Sequence, residues 1–327
     1  MTVLRTTSGL AAIAAAISSI ANGAQLAATR LVVQQHDPLA FALLRYAIAS
    51  ACLAPLLYKL RWPSARDCAL ILGLGAVVAG ICPWLLTISM RYTTASRGAL
   101  LICTSPLLTL LFASLLGYEK CTARRIIGSC CALLGVTIGL SDQLSGTSSL
   151  INRGDAIALS TTVLLALFNV GAGRMMARHR AITVVPLASL GGLTILFGFA
   201  IADDTLRTIA TFTPSDWAAI VFSGTIGGAG VLLLWTWAIE RASAGRIAVF
   251  VTAAPMSAAI AGAMILSEPI TPQLVAGTAF IIAGVYLVYR PAPVAVTPAA
   301  APECSPLLPP QSARRARPRS QLAGNSG

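Results

Sequence analysis

The chain has 327 residues, 56% of them hydrophobic and only 10% charged, and its mean hydropathy is +0.80. A soluble domain is about a quarter charged, so composition excludes an ordinary water-soluble fold. The net charge of +12 sits in short connections and a tail rather than on one basic face, which speaks against nucleic acid as a partner.

Ten apolar runs follow one another: Gly9–Thr29, Leu39–Leu57, Cys68–Met90, Gly98–Leu116, Ile126–Leu144, Ala156–Gly173, Ala181–Ile201, Trp217–Ile239, Ile247–Leu266 and Gln273–Tyr289. A helix needs about 20 such residues to cross the hydrocarbon of a bilayer, so the expected class is an all-α integral membrane protein with ten transmembrane helices. The first run follows Arg5. It exceeds the apolar core of a cleaved signal, about 7–15 residues, and is read as a retained helix. After Arg290 proline, alanine and scattered arginine take over, and residues 291–327 are expected to form a disordered basic cytoplasmic tail. Its Arg314–Arg319 cluster serves topology or touches anionic lipid heads.

The fourth and fifth runs occur twice. Shifting Arg97–Val136 by 149 positions lays it without a gap on Arg246–Val285, with eight of forty positions identical, among them Arg97/Arg246, Pro106/Pro255, Glu119/Glu268, Gly128/Gly277 and Gly135/Gly284. An internal repeat fixes architecture before any local reading does. It divides the chain into a first repeat at 1–145 and a second at 150–290.

Lys and Arg set the orientation, because they gather on the cytoplasmic side. Arg30, Arg91, Arg97, Arg153 and Arg207 fall on one side, Arg45 lies inside a helix, and the other seventeen of 23 fall with the termini. Both termini are therefore expected in the cytoplasm, as in a bacterial-type inner membrane. Five helices per half is an odd number, so the two copies point opposite ways across the bilayer. Such a 5+5 inverted repeat can open a central site to either face in turn, the device of secondary transporters.

Pro106 and Pro255 each lie nine residues beyond their arginine, about 13 Å along a helix and so near the midplane. Each frees the carbonyl four residues earlier, on Ile102 and Val251. They are candidates for hinge or cavity wall, with a plain packing kink as the alternative. Arg45 follows Pro38 by seven positions, about 10 Å into the membrane, where a charge is costly and usually functional. It either holds substrate or snorkels to the nearer surface. Asn22, Gln25 and Asn169 are candidate substrate-binding amides, or else helix-to-helix glue. Trp84 and Trp235 are candidate aromatic walls, or else interfacial anchors.

No Asp or Glu falls deep in any run, which disfavours a proton-coupled antiporter of cationic drugs. His36 and His179, the two histidines, stand in loops with no evident nucleophile or metal-ligand partner, so neither an enzyme nor a metal or other cofactor is expected. Cys52, Cys82, Cys103, Cys130 and Cys131 lie within apolar runs and are read as small packing residues. Gly135-x-x-x-Gly139 and Gly224-x-x-x-Gly228 are read as close-packing sites.

The segments PLAFALLRYAIASACLAPLL at 38–57, ASRGALLICTSPLLTLLFASLLGYEKCTARRIIGSCCALLGVTIGL at 95–140 and ILSEPITPQLVAGTAFIIAGVYLVYR near the end resemble the EamA family of the drug/metabolite transporter superfamily. The arginine early in the second helix, the prolines of the fourth and ninth and the glycine-rich fifth and tenth carry the likeness. One departure is Leu266-Ser267-Glu268, where the family's usual glycine before glutamate is missing. The resemblance implies two EamA domains over about residues 9–290, a cavity walled by helices 1, 3, 4, 6, 8 and 9, and passage of small metabolites, often amino acids. The expected function is export of amino acids or related metabolites by alternating access. Uptake is the runner-up, and a non-transporting membrane scaffold or receptor is the alternative of another class. The expected partners are a small-molecule metabolite and the lipid bilayer, with a homodimer left open.

Overall fold

A computed structural model of the chain describes residues 2–58, 62–117, 122–141, 152–176, 178–241 and 249–289. Glu119, Arg246 and the tail at 291–327 lie outside these residues. Among the described residues every regular element is helical. In chain order they are α1 (Thr2–Val33), α2 (Pro38–Leu57), α3 (Ala65–Gly75, a π segment Ala76–Ile81, Cys82–Ser89) and α4 (Ala95–Ile102, then Ser105–Leu115). Then come α5 (Ala123–Leu140), α6 (Arg153–Met176), α7 (Ala181–Ala202) and a 3-10 segment Thr205–Thr211. Last are α8 (Pro214–Gly224, a π segment Thr225–Gly230, Val231–Arg241), α9 (a 3-10 turn Val249–Thr252, then Ala253–Leu266) and α10 (Pro272–Tyr289).

Seven helices, those of α1 to α4 and α6 to α8, are long and apolar enough to cross a bilayer. Ile126–Leu140, Phe250–Leu266 and Pro272–Val288 are shorter apolar helices. The packing is that of a membrane bundle. On α1, Leu10, Ile13, Ile17 and Ile20 recur at helical spacing and stand exposed, while Ala11, Ala14, Ala15, Ser18 and Ser19 are buried. Large apolar side chains face outward and small ones face the neighbouring helices, because lipid, unlike water, does not drive the large ones inward.

The irregular places fall in register with the repeat. The π segment opening at Ala76 in α3 and the one opening at Thr225 in α8 are 149 positions apart. α4 and α9 are both broken just before their prolines. Pro106 occupies the second position of the restarted helix, where a missing N–H leaves no bond unmade. The break residues meet across the two halves: Cys103 Sγ donates to the Val251 carbonyl at 3.2 Å, the carbonyl that Pro255 frees. Ser267, at the departure from the family turn, takes the left-handed conformation (φ 55°), and Gly117, one position out of the repeat register, takes it after α4 (φ 74°).

Close packing completes the frame. α5 and α10 run antiparallel in backbone contact, with Gly128 against Gly284 and Gly135 against Gly277. The repeat shift maps the first of these pairs onto the second. α2 and α7 are also antiparallel. Leu39 and Leu43 near the start of α2 cluster with Leu196 and Ala200 late in α7, and Leu53 near its end clusters with Val185.

A Cβ on Gly277 would stand 2.4 Å from the Gly135 carbonyl oxygen and 2.7 Å from Gly139 Cα, so the two backbones would have to part. Gly277→Val is expected to destabilise the fold by at least about 1–3 kcal/mol, read as a lower unfolding temperature in detergent. Gly73→Ala is the control, since nothing lies within 4 Å of its Cβ, and it should be neutral or slightly stabilising.

Candidate functional site

Arg45 lies two turns into α2, whose opposite side is committed to α7. Its guanidinium Nη2 donates to Gln25 Oε1 of α1 at 3.1 Å. The guanidinium carbon also lies 5.3 Å from the centre of the adjoining Tyr46 ring. Gln25 is 1% exposed. It rests on the π segment of α8, where a Cβ on Gly227 would stand 2.5 Å from Gln25 Cγ. One turn earlier in α8, Gly224 lets the backbone approach Ile48 and the Arg45 carbonyl. The wide turn of α8 and the Gln25–Arg45 pair are thus one unit, built where only glycine fits.

Buried cations in a membrane usually pair with carboxylates. The described residues offer Arg45 none, and its buried Nε has no hydrogen-bond partner among them. A guanidinium fork with a free donor beside an amide that can both donate and accept is suited to a carboxylate-bearing solute.

The other candidates scatter. Asn22 lies one turn before Gln25 on α1 and is half-buried. Trp84 of α3 stacks at 5.2 Å on Phe199 of α7 and packs against the cluster that contains Tyr46, close to the Arg45 unit. Trp235 packs instead against Ala11, Ala14 and Ala15 of α1. Asn169 is exposed on α6. Gln25 and Arg45 are therefore the pair that the fold brings into contact.

A second set of polar residues went unread in the sequence. Ser64/Asp67, Asn152/Asp155 and Thr213/Asp216 each form a reciprocal cap at a helix start, and in each the acid also faces an arginine or histidine from elsewhere. Asp155 of α6 takes Arg97 of α4 through Nη2 at 2.5 Å and Nε at 3.3 Å, with both side chains at most 2% exposed. Arg97 Nη1 donates onward to the Leu140 carbonyl that ends α5, and Thr93 adds its hydroxyl to Asp155. Asp216 of α8 meets His36 at 3.0 Å, and Asp67 of α3 lies 3.6 Å from His179. The S/N/T-x-x-D spacing marks the three caps in the sequence, two of them related by the 149-residue shift, but not the partners from elsewhere.

Glu268, in the turn after α9, pairs with Arg30 at 2.5 Å and accepts from the Ala95 backbone at the start of α4. Burial nevertheless holds its carboxyl above the ordinary range, outweighing Arg30 and the Ala95 amide. Arg30 also donates to the Met90 carbonyl, and Arg91 donates to that of His36. The connections α1–α2, α3–α4, α7–α8 and α9–α10, with the facing ends of α5 and α6, are thereby tied together at one end of the bundle.

Comparison with known proteins agrees with the geometry. The model of the EamA-like transporter family matches residues 9–140 and again 152–290. An uncharacterized transporter of Archaeoglobus fulgidus is 26% identical over 271 residues, covering 82% of this chain and 94% of that protein. A protein of Streptantibioticus cattleyicolor described as a probable terminal-alkyne amino-acid exporter is 25% identical, covering 80% and 88%. A solved crystal structure shares the fold with a TM-score of 0.58 at 20% identity, covering 83% of this chain and 95% of that one. With both halves matched by the same family model and the relatives named as transporters, this multi-pass membrane chain belongs to the EamA-like transporter family.

Proposed function

We propose that the chain is a ten-span transporter of 5+5 inverted design that exports amino acids or related carboxylate-bearing metabolites by alternating access. The observation that carries the substrate class is the partly buried Arg45 guanidinium, tied to Gln25 through Nη2, with its buried Nε unpartnered and no carboxylate against it among the described residues. The inverted design is supported by features that recur at the repeat shift: the π segments at Ala76 and Thr225, and the exchanged glycine pairs of α5 and α10. The lysine and arginine bias fits a bacterial-type cytoplasmic membrane with both termini inside, and export is supported by the exporter description of one relative.

Metabolite profiling tests the function. Cells overproducing the protein should enrich the medium in one or a few amino-acid-like solutes, and deletion should raise the same solutes inside. Unchanged extracellular and intracellular pools overturn export. Cysteine labelling tests the topology: a probe at Ser267 should be reached from outside and tags at both termini from inside. A cytoplasmic Ser267 breaks the inverted repeat.

A further inference from the structure

The chain has two histidines, and both stand at the same structural address. His36 immediately precedes Asp37, the cap of α2, and His179 immediately precedes Arg180, the cap of α7. Each reaches across to the other half of the molecule. His36 of the first half meets Asp216 at the start of α8, and His179 of the second half faces Asp67 at the start of α3. Asp67 and Asp216 are related by the 149-residue shift, as are their capping partners Ser64 and Thr213. Because α2 and α7 are antiparallel, the two contacts lie at opposite ends of the bundle.

The two ends are not in the same state. His36 Nε2 is 3.0 Å from Asp216 Oδ2, a hydrogen bond, whereas His179 Nε2 is 3.6 Å from Asp67 Oδ2, which is beyond one. Both ring nitrogens of His36 face oxygens. Its Nδ1 lies 3.3 Å from Thr211 Oγ1, and that hydroxyl already gives its single proton to the Thr208 carbonyl at 2.7 Å. Phe212 holds the ring from the side at 4.7 Å.

We propose that His36–Asp216 and His179–Asp67 are a matched pair of protonation-sensitive clasps, one at each end of the bundle, and that the structure has the first fastened and the second loose. Resting on the transporter reading, the proposal makes the His36 clasp part of the external gate. Acid outside would then fasten that gate and favour the state open to the cytoplasm, where an exporter loads. Histidine is the side chain whose charge changes between about pH 5 and pH 8, the range spanned across such a membrane.

The charged and titratable groups around each clasp are few. At His36 they are Asp216, the helix-capping Asp37 next in the chain, and Arg91, whose guanidinium binds the His36 carbonyl at 3.4 Å. At His179 they are Asp67 and, adjacent in sequence, Arg66, Arg178 and Arg180. The Arg30–Glu268 pair also lies at the His36 end.

The test uses the full chain in nanodiscs with spin-labelled unnatural side chains at exposed positions: Tyr92 with Arg207 across the His36 end, and Tyr58 with Leu116 across the other. His179→Gln isolates the His36 clasp, since both faces meet one buffer. Lowering pH from about 8 to about 5.5 should raise the ratio of closed to open populations at the His36 end about three- to fivefold, near the upper end for ion pairs at a protein surface. His36→Gln should abolish that response and His36→Lys should hold the end closed at both pH values, and neither replaces Thr213 or Asp216, the cap of α8. A response that survives in His36→Gln assigns the pH dependence to another group, such as Glu268, and overturns the clasp. So does a pH-insensitive pair of populations, which leaves the transporter reading intact because export is measured separately.

Discussion

Arg97→Gln should strip the protein of most of its folding stability. It leaves the Asp155 carboxylate at 1% exposure, with the Thr93 hydroxyl and the Asn152 amide but no charge to face. Removing one partner of a buried ion pair costs about 3–5 kcal/mol, comparable with the whole stability of many domains. The expected result is a sharply reduced folded yield and a lower unfolding temperature in detergent. Arg97→Lys should recover only part of this, because a single ammonium cannot reproduce the fork that reaches both Asp155 oxygens and the Leu140 carbonyl. Arg97→Met with Asp155→Leu should recover more, since a buried pair replaced by packed apolar side chains leaves no unpaired charge behind. A wild-type unfolding temperature in Arg97→Gln would show that water reaches Asp155 and that the pair is not sealed.

The same residues show how far the sequence could be read. Arg97 was visible as the head of a repeated hairpin, yet its partner could not be named. Apolar periodicity gives the length of a helix and not the neighbour it packs on, and Asp155 lies 58 positions away in the other half. Asp67, Asp155 and Asp216 passed as helix-end acids because a capping aspartate has a local explanation, and the second bond that each one makes is long-range. The prolines were more legible. Proline acts on its own helix through the carbonyl four residues back, so Val251 could be named in advance, and only its acceptance from Cys103 needed the fold. The π segments were not legible at all, since AVVAGI and TIGGAG have the composition of any membrane helix. Their recurrence at the repeat shift shows in the backbone alone. Asn169 and Trp235 were chosen by type and depth, which do not specify the side of the helix. The fold leaves Asn169 exposed and packs Trp235 on the α1 alanines.

Arg45→Gln should sharply weaken transport of carboxylate-bearing substrates while leaving the protein folded. The snorkelling alternative weakens once the side chain is located, because its Nη2 is held by Gln25 on a neighbouring helix, against the π segment of α8. A hydrogen bond to a charged group contributes about 1.5–3 kcal/mol, so losing the charge-assisted contact should raise the half-saturating concentration roughly tenfold to a hundredfold. Arg45→Lys should fold normally and fall between wild type and Arg45→Gln, since a point charge attracts the carboxylate but cannot grip both oxygens. Gln25→Leu adds a separate arm. It removes the group that aims the guanidinium while keeping the charge, so substrate affinity should fall less than in Arg45→Gln, with discrimination between carboxylate and amide analogues reduced. The measurement is uptake or exchange in proteoliposomes of the solute identified by metabolite profiling, together with its amide. Equal losses for the carboxylate and its neutral amide in Arg45→Gln would show that Arg45 shapes the cavity without binding the anion. Unchanged kinetics in Arg45→Lys would return it to the role of a membrane anchor.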